Sequence, residues 1–235
     1  MRRLFCLLLV SAILFSLCAC GSKNETPPKE TSEPKEVSTV SVLNEVNISW
    51  NGKTKKYVSG DKMTVNESGQ IAKVETLYTD YSFEYGNDGL LQSAAFKDKD
   101  SDKSGYLTIT YENGLPVLYE LNPNDGFHSS KNTAVTTEKD ADGRVITVYE
   151  NNTYTDAEDG STSKSVAKIE FEYGENSKIT TAKYYKDNKL DHTTVITYTE
   201  NGDMASYQNI GADKNNTYLS VEFVYKSVDE STVKI

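Results

Sequence analysis

The side chains of this chain that could do chemistry are mostly carboxylates and phenols. All three cysteines, Cys6, Cys18 and Cys20, lie in the first twenty residues. The rest of the chain therefore has no thiol for nucleophilic catalysis, zinc ligation or a disulfide. The two histidines, His128 and His192, have no cysteine or second histidine nearby and are expected in loops or on solvent faces. Asp98, Asp100 and Asp102 alternate along one segment, a spacing from which oxygens can converge on calcium. An EF-hand loop would need Gly and Glu where Lys103 and Ile109 stand, so a solvated hairpin loop competes with the metal reading. Asp156, Glu158 and Asp159 form a second acidic loop. Glycoside cleavage needs two carboxyls across a cleft, and among 35 acidic residues no pair stands out. No Gly-x-Ser-x-Gly elbow and no glycine-rich phosphate loop is present. A non-enzymatic protein without a cofactor is expected.

The 16 tyrosines are the larger resource. Tyr85, Tyr111, Tyr173, Tyr198 and Tyr225 close matching segments: Ser82-Phe83-Glu84-Tyr85, Thr108-Ile109-Thr110-Tyr111, Glu170-Phe171-Glu172-Tyr173, Val195-Ile196-Thr197-Tyr198 and Glu222-Phe223-Val224-Tyr225. An apolar residue, a residue that is usually polar or β-branched, then Tyr is the period of a strand with one buried face. Aligned across a sheet, the five either pack as cross-strand pairs or form an exposed strip that stacks on sugar rings or a partner protein.

What would position them is a series of hairpins. Short turns ending in glycine recur: Glu67-Ser68-Gly69, Asn87-Asp88-Gly89, Glu112-Asn113-Gly114, Ala141-Asp142-Gly143 and Glu200-Asn201-Gly202, with Glu175-Asn176-Ser177 as a degenerate copy. Such triplets suit a type I turn followed by a left-handed residue and a bulge, and Asn51-Gly52 suits a tighter hairpin. An apolar residue usually falls two positions after the turn residue, at Ile71, Leu91, Val145, Ile179 and Met204, whereas Leu115 and Pro116 follow Gly114 directly. No window sustains a helical apolar period. The expectation is an all-β domain over 42–235: a long antiparallel meander of successive β-hairpins, about a dozen strands or more, as an open curved sheet or a closed barrel. Frequent Lys and Glu in the strands argue against a membrane-spanning barrel.

The N-terminus has a different texture. Arg2 and Arg3 precede a mostly apolar run from Leu4 to Leu17, and Leu17-Cys18-Ala19-Cys20 ends it. This is an export signal over 1–19. Its ending resembles the lipobox of bacterial lipoproteins, departing at Cys18, where Ala, Ser or Thr is usual. The resemblance implies that the leader is cut before Cys20, and that Cys20 is acylated. It also implies that the chain is held by the lipid bilayer, on the extracytoplasmic side of a cell membrane or outer membrane. Residues 20–41 hold Pro27, Pro28 and Pro34 and no apolar residue until Val37, which predicts a disordered tether. Without residues 1–19 the chain carries 23 basic against 35 acidic residues, a net charge of −12 that disfavours nucleic acid.

The hairpin units also carry a resemblance. Phe83-Glu84-Tyr85-Gly86-Asn87-Asp88-Gly89-Leu90-Leu91 resembles the YD repeats of bacterial surface and toxin-shell proteins, and Tyr184-Tyr185-Lys186-Asp187-Asn188-Lys189-Leu190 is similar to MORN-type repeats. Both imply successive antiparallel hairpins and bring no catalytic residues. A lipid-anchored module that binds a glycan, wall polymer or protein is the leading expectation. A structural or assembly scaffold, and a hydrolase with an unrecognised carboxylate pair, stand beside it.

Overall fold

The computed structural model describes residues 39–68, 70–101, 103–123, 129–213 and 217–229. The leader, Cys20 and most of the tether lie outside them, as do Gly69, Asp102 and His128. Fifteen strands follow in chain order: β1 (Thr39–Trp50), β2 (Lys53–Ser59), β3 (Met63–Val65), β4 (Ile71–Glu75), β5 (Thr79–Tyr85), β6 (Leu91–Asp98), β7 (Ser104–Glu112), β8 (Leu115–Pro123), β9 (Ser129–Lys139), β10 (Val145–Asp156), β11 (Thr162–Tyr173), β12 (Ile179–Lys186), β13 (Lys189–Tyr198), β14 (Met204–Gly211) and β15 (Thr217–Asp229). Among the described residues only two single 3-10 turns, Gly60–Lys62 and Glu175–Ser177, add to them. β1 opens at Thr39, inside the segment assigned to the tether, because Thr39-Val40-Ser41-Val42 already alternates β-branched and polar residues.

Every consecutive pair from β3 to β15 is antiparallel, as is β1 with β2. The sheet order is β2-β1-β15-β14 and so on down to β3. Within Leu43–Tyr225 the two outermost strands, β2 and β3, are joined only through Gly60–Lys62, so this sheet returns on itself and is nearly closed. Leu77 N–H donates to the Tyr57 carbonyl at 3.2 Å, tying the β4–β5 loop to β2. The described ends of β1 and β15, Thr39–Val42 and Lys226–Asp229, belong to a separate compact unit.

The core lies on one face. Tyr81 faces Phe96, Phe83 faces Ala94 and Ala94 faces Leu107; farther round, Ile196 faces Tyr207 and Tyr207 faces Val221. All of these are buried, with Leu91 and Leu219 the most completely enclosed large apolar side chains. Alternate residues on the other face are more exposed and mostly polar, as at Ser82, Glu84, Lys97, Thr108 and Thr110, the pattern of a sheet wet on one side. Gly105 is a special case, because a Cβ there would meet the Phe96 ring at 2.6 Å. The ring lies across the strand in the space a side chain would need.

The turns are of two kinds. Gly89, Gly143 and Gly202 have φ of 78°, 80° and 87°, each closing a turn in which its N–H returns to the residue three before it. Ser177 takes the same left-handed conformation at 55°. Glycine accepts it without steric cost and serine does not. Asn51-Gly52, Asn113-Gly114 and Asp187-Asn188 instead hold two consecutive left-handed residues, the two-residue hairpin turn. Glu112-Asn113-Gly114 is thus shorter than the expected bulged turn, and β8 starts one residue after Gly114. Gly160, in the β10–β11 loop, is left-handed as well.

Candidate functional site

The recurring tyrosines form a ladder at the glycine-turn end of the sheet. Tyr85 donates its hydroxyl proton to the Ile71 carbonyl at 2.9 Å, Tyr111 to Leu91 at 2.9 Å and Tyr173 to Val145 at 2.6 Å. Tyr198 donates to Ile179 at 2.8 Å and Tyr225 to Met204 at 3.0 Å. Each acceptor is the first residue of the preceding strand, and at each the register shifts. In those five pairings Ala72, Gln92, Ile146, Thr180 and Ala205 are left without a partner. A bulge interrupts the backbone ladder, and the phenol takes up the carbonyl beside it. Turn cations cover two of the rings: Arg144 sits 5.0 Å from the Tyr173 centroid and Lys178 4.8 Å from Tyr198. Burial raises the phenols of Tyr85 and Tyr198, and burial with Asp203 nearby pushes Tyr225 up to about 12. These five rings are half-buried, with their hydroxyls used inside the sheet.

Asp98 ends β6 and Asp100 lies in the β6–β7 loop. Asp98 Oδ1 accepts from the Asp100 N–H at 3.4 Å, and its Oδ2 accepts from the Ser101 hydroxyl at 3.0 Å. Lys99 reaches Asp80 at 2.9 Å. Among the described residues no three acidic or histidine side chains are grouped to hold a metal; Asp102, the third proposed ligand, lies outside them. Asp156 and Asp159 cap their own loop, accepting from the N–H groups of Glu158 and Ser161.

A different set of side chains gathers on the inner face at the opposite end. Lys131 pairs across β9–β10 with Tyr154, Thr133 with Asn152, and Val135 with Glu150. Glu150 faces Ala167 on β11, Ile169 faces Tyr184 on β12, and Tyr184 faces His192 on β13. Thr194, Asn209 and Leu219 continue the face onto β14 and β15. Two bulges add to it. The register slips between Tyr184–His192 and Tyr185–Leu190, leaving Asp191 without a partner, and between Asn209–Leu219 and Ile210–Thr217, leaving Tyr218 without one. Bulges re-aim side chains. Here Asp191 Oδ2 lies 2.8 Å from His192 Nδ1, and the Tyr218 ring turns edge-on to His192 at 6.1 Å.

The result is an arc of rings across five strands. Trp50 meets Tyr218 edge-on at 5.8 Å, Tyr218 meets His192, and His192 stacks on Tyr184 at 5.1 Å and 21°. Tyr154 follows on β10, with the Lys131 ammonium 5.6 Å from its centroid. Two buried polar pairs lie beside the rings: Thr133 donates to Asn152 at 2.7 Å and Thr194 donates to Asn209 at 2.8 Å. Among the described residues nothing donates a hydrogen bond to the Glu150 carboxyl. Burial raises its pKa, partly opposed by Lys131. Tyr184 is pushed up to about 12, first by burial and then by the carboxylates of Glu150 and Asp191 and the Tyr154 phenol. The arrangement offers flat apolar faces with carboxylates beside them, above buried amide–hydroxyl pairs that are already satisfied. Such a surface is suited to a ligand that has both apolar faces and hydroxyls.

His192 was expected in a loop or on a solvent face; its side chain is 14% exposed and belongs to this inner face, because it falls in phase with Thr194 and Ile196. Sequence reasoning also passed over Trp50, Tyr154, Tyr184, Tyr218, Glu150 and Lys131. Apart from Tyr184, which opens the MORN-like unit, none sits in a recurring motif; their one shared signal is an aromatic or charged residue at an inward position otherwise held by Val, Ile or Ala. Neither a family model nor a curated protein matches the chain.

Proposed function

We propose that this chain is an envelope-anchored, non-enzymatic binding module, held by an acylated Cys20, whose inner-face arc receives a glycan or wall polymer. The arc carries this reading. Trp50, Tyr218, His192, Tyr184 and Tyr154 share one face and are partly exposed on it. The Glu150 carboxyl beside them is partly exposed and accepts no hydrogen bond from the described residues. Partly exposed rings beside a carboxyl with open acceptor sites suit a hydroxyl-bearing ligand. The anchor rests on the leader sequence and is tested separately: Cys20→Ala should abolish fatty-acid labelling and leave the leader unprocessed. For binding, the full-length protein is screened against glycans and purified wall polymers. Retention lost in Tyr184→Ala, with the melt within about 4 °C of wild type, supports the arc; no retention by any glycan or wall polymer would refute it. A scaffold is the second reading, favoured by the tyrosine ladder, which strengthens the sheet without presenting its hydroxyls to a ligand.

A further inference from the structure

Building on that reading, we infer that the arc takes an extended, uncharged oligosaccharide chain laid across the strands, with Trp50 and Tyr154 as its two outer stacking positions. From β1 to β10 the sheet order runs through six inter-strand steps. At about 4.8 Å per step, the path along the sheet is roughly 29 Å. That is far more than one sugar ring can cover, and the rings are distributed along it. Trp50 and Tyr218 stand on neighbouring strands, His192 and Tyr184 on another neighbouring pair, and Tyr154 on β10. The polar groups are interspersed in the same way. Asp191 lies beside His192 and Glu150 lies at the Tyr154 end, while Asn209 and Asn152 are buried and bonded to Thr194 and Thr133. A small ligand would need these groups converging on one point; a chain of repeating rings and hydroxyls needs them in a row.

Charge selects the class of chain. Glu150 and Asp191 lie along the arc; Lys131 lies over Tyr154, Lys53 faces Trp50 and Lys186 faces Ala167. The whole protein carries −10. That net charge repels a polyanionic chain during approach. Carboxylates accept hydrogen bonds, so they suit a donor-rich hydroxyl chain.

The test is calorimetric titration of the full-length protein in detergent with cello-, xylo- and chito-oligosaccharides from monomer to hexamer, with polygalacturonate as the anionic arm. At least one neutral series should gain more than about tenfold in affinity between dimer and hexamer, equivalent to about 1.4 kcal/mol. Trp50→Ala and Tyr154→Ala should each remove part of that gain. A hexamer that binds no tighter than its dimer would overturn the extended-chain inference and leave the binding module standing. Polygalacturonate binding as tightly as the neutral hexamer would overturn the charge selection. If no neutral oligosaccharide binds, this inference fails, and the binding reading fails with it only if the glycan and wall-polymer screen also shows no retention.

Discussion

The two ends of the sheet use the same residue type in opposite ways. At the glycine-turn end, five tyrosines donate to the carbonyls beside five bulges, and their rings pack against the ends of hairpins. At the other end, Tyr154, Tyr184 and Tyr218 pack ring to ring or beneath a cation, next to a carboxyl that accepts no hydrogen bond from the described residues. Bulges occur at both ends with different consequences. Those of the ladder leave carbonyls that a phenol takes up; those at Asp191 and Tyr218 turn side chains onto the inner face. A tyrosine's role here is set by whether the backbone within reach has a free acceptor. The ladder is a stability device, and the arc is left to meet something else.

The largest effect that could break this division is loss of a ladder ring. Tyr225→Ala and Tyr111→Ala should each cost about 3 kcal/mol, the low end for aromatic truncation, because these rings are half-buried. For a chain of this length that is a drop in Tm of roughly 6–12 °C, read by calorimetry. Losses no larger than those at exposed Tyr106 would mean that the ladder rings do not hold the sheet.

Next are the left-handed turns that place the ladder. Gly89→Val, Gly143→Val and Gly202→Val should each cost about 1 kcal/mol or more by denaturant unfolding, since Val cannot adopt their positive φ without strain. Nothing lies within 4 Å of a Cβ at Gly143, so its loss isolates the backbone term. Gly160 has φ of 68° and shares the penalty, so it cannot serve as a neutral control. Removing the ladder hydroxyl alone is a smaller change. Tyr111→Phe keeps the ring and should cost about 1 kcal/mol through the stranded Leu91 carbonyl.

The smallest effect sharpens the other half. Burial raises the Glu150 pKa in the folded state, so the folded protein holds that proton more tightly than the unfolded chain. Its contribution is present below the ordinary glutamate pKa and is lost as pH rises through the raised value. Wild-type stability minus that of Glu150→Gln should therefore fall across that window and level off above it. A flat difference would place the carboxyl in water.

Much of the fold was legible because its signals are local. Phe83-Glu84-Tyr85 and the turn to Gly89 sit within seven residues, so alternation, turn chemistry and the recurring tyrosine all appear in one short window. The ladder's acceptors were visible too, as apolar residues two positions after each turn, although not as hydrogen-bond partners. The β8–β9 hairpin shows the limit of the pattern: β9 ends in Lys139 where the others place Tyr. The arc could not be read this way. Trp50 and Tyr218 become neighbours only because β15 lies beside β1, and Asp191 and Tyr218 join the inner face through register slips that alternation cannot foresee. His192 has no metal-site or triad partner in sequence, and its neighbours on the face come from strands distant in the chain.

The most direct measurement compares two single variants in the same pair of assays. Tyr173→Ala removes a ladder ring and Tyr184→Ala removes the centre of the arc; each is measured for Tm and for retention on the polymer that binds wild type. Tyr173→Ala should melt several degrees lower yet bind normally while folded. Tyr184→Ala should stay within about 4 °C of wild type, a loss of about 1 kcal/mol, and lose retention. A folded Tyr173→Ala that no longer binds, or a Tyr184→Ala that unfolds while the folded fraction still binds, would contradict the division of tyrosines between holding the sheet and meeting the ligand.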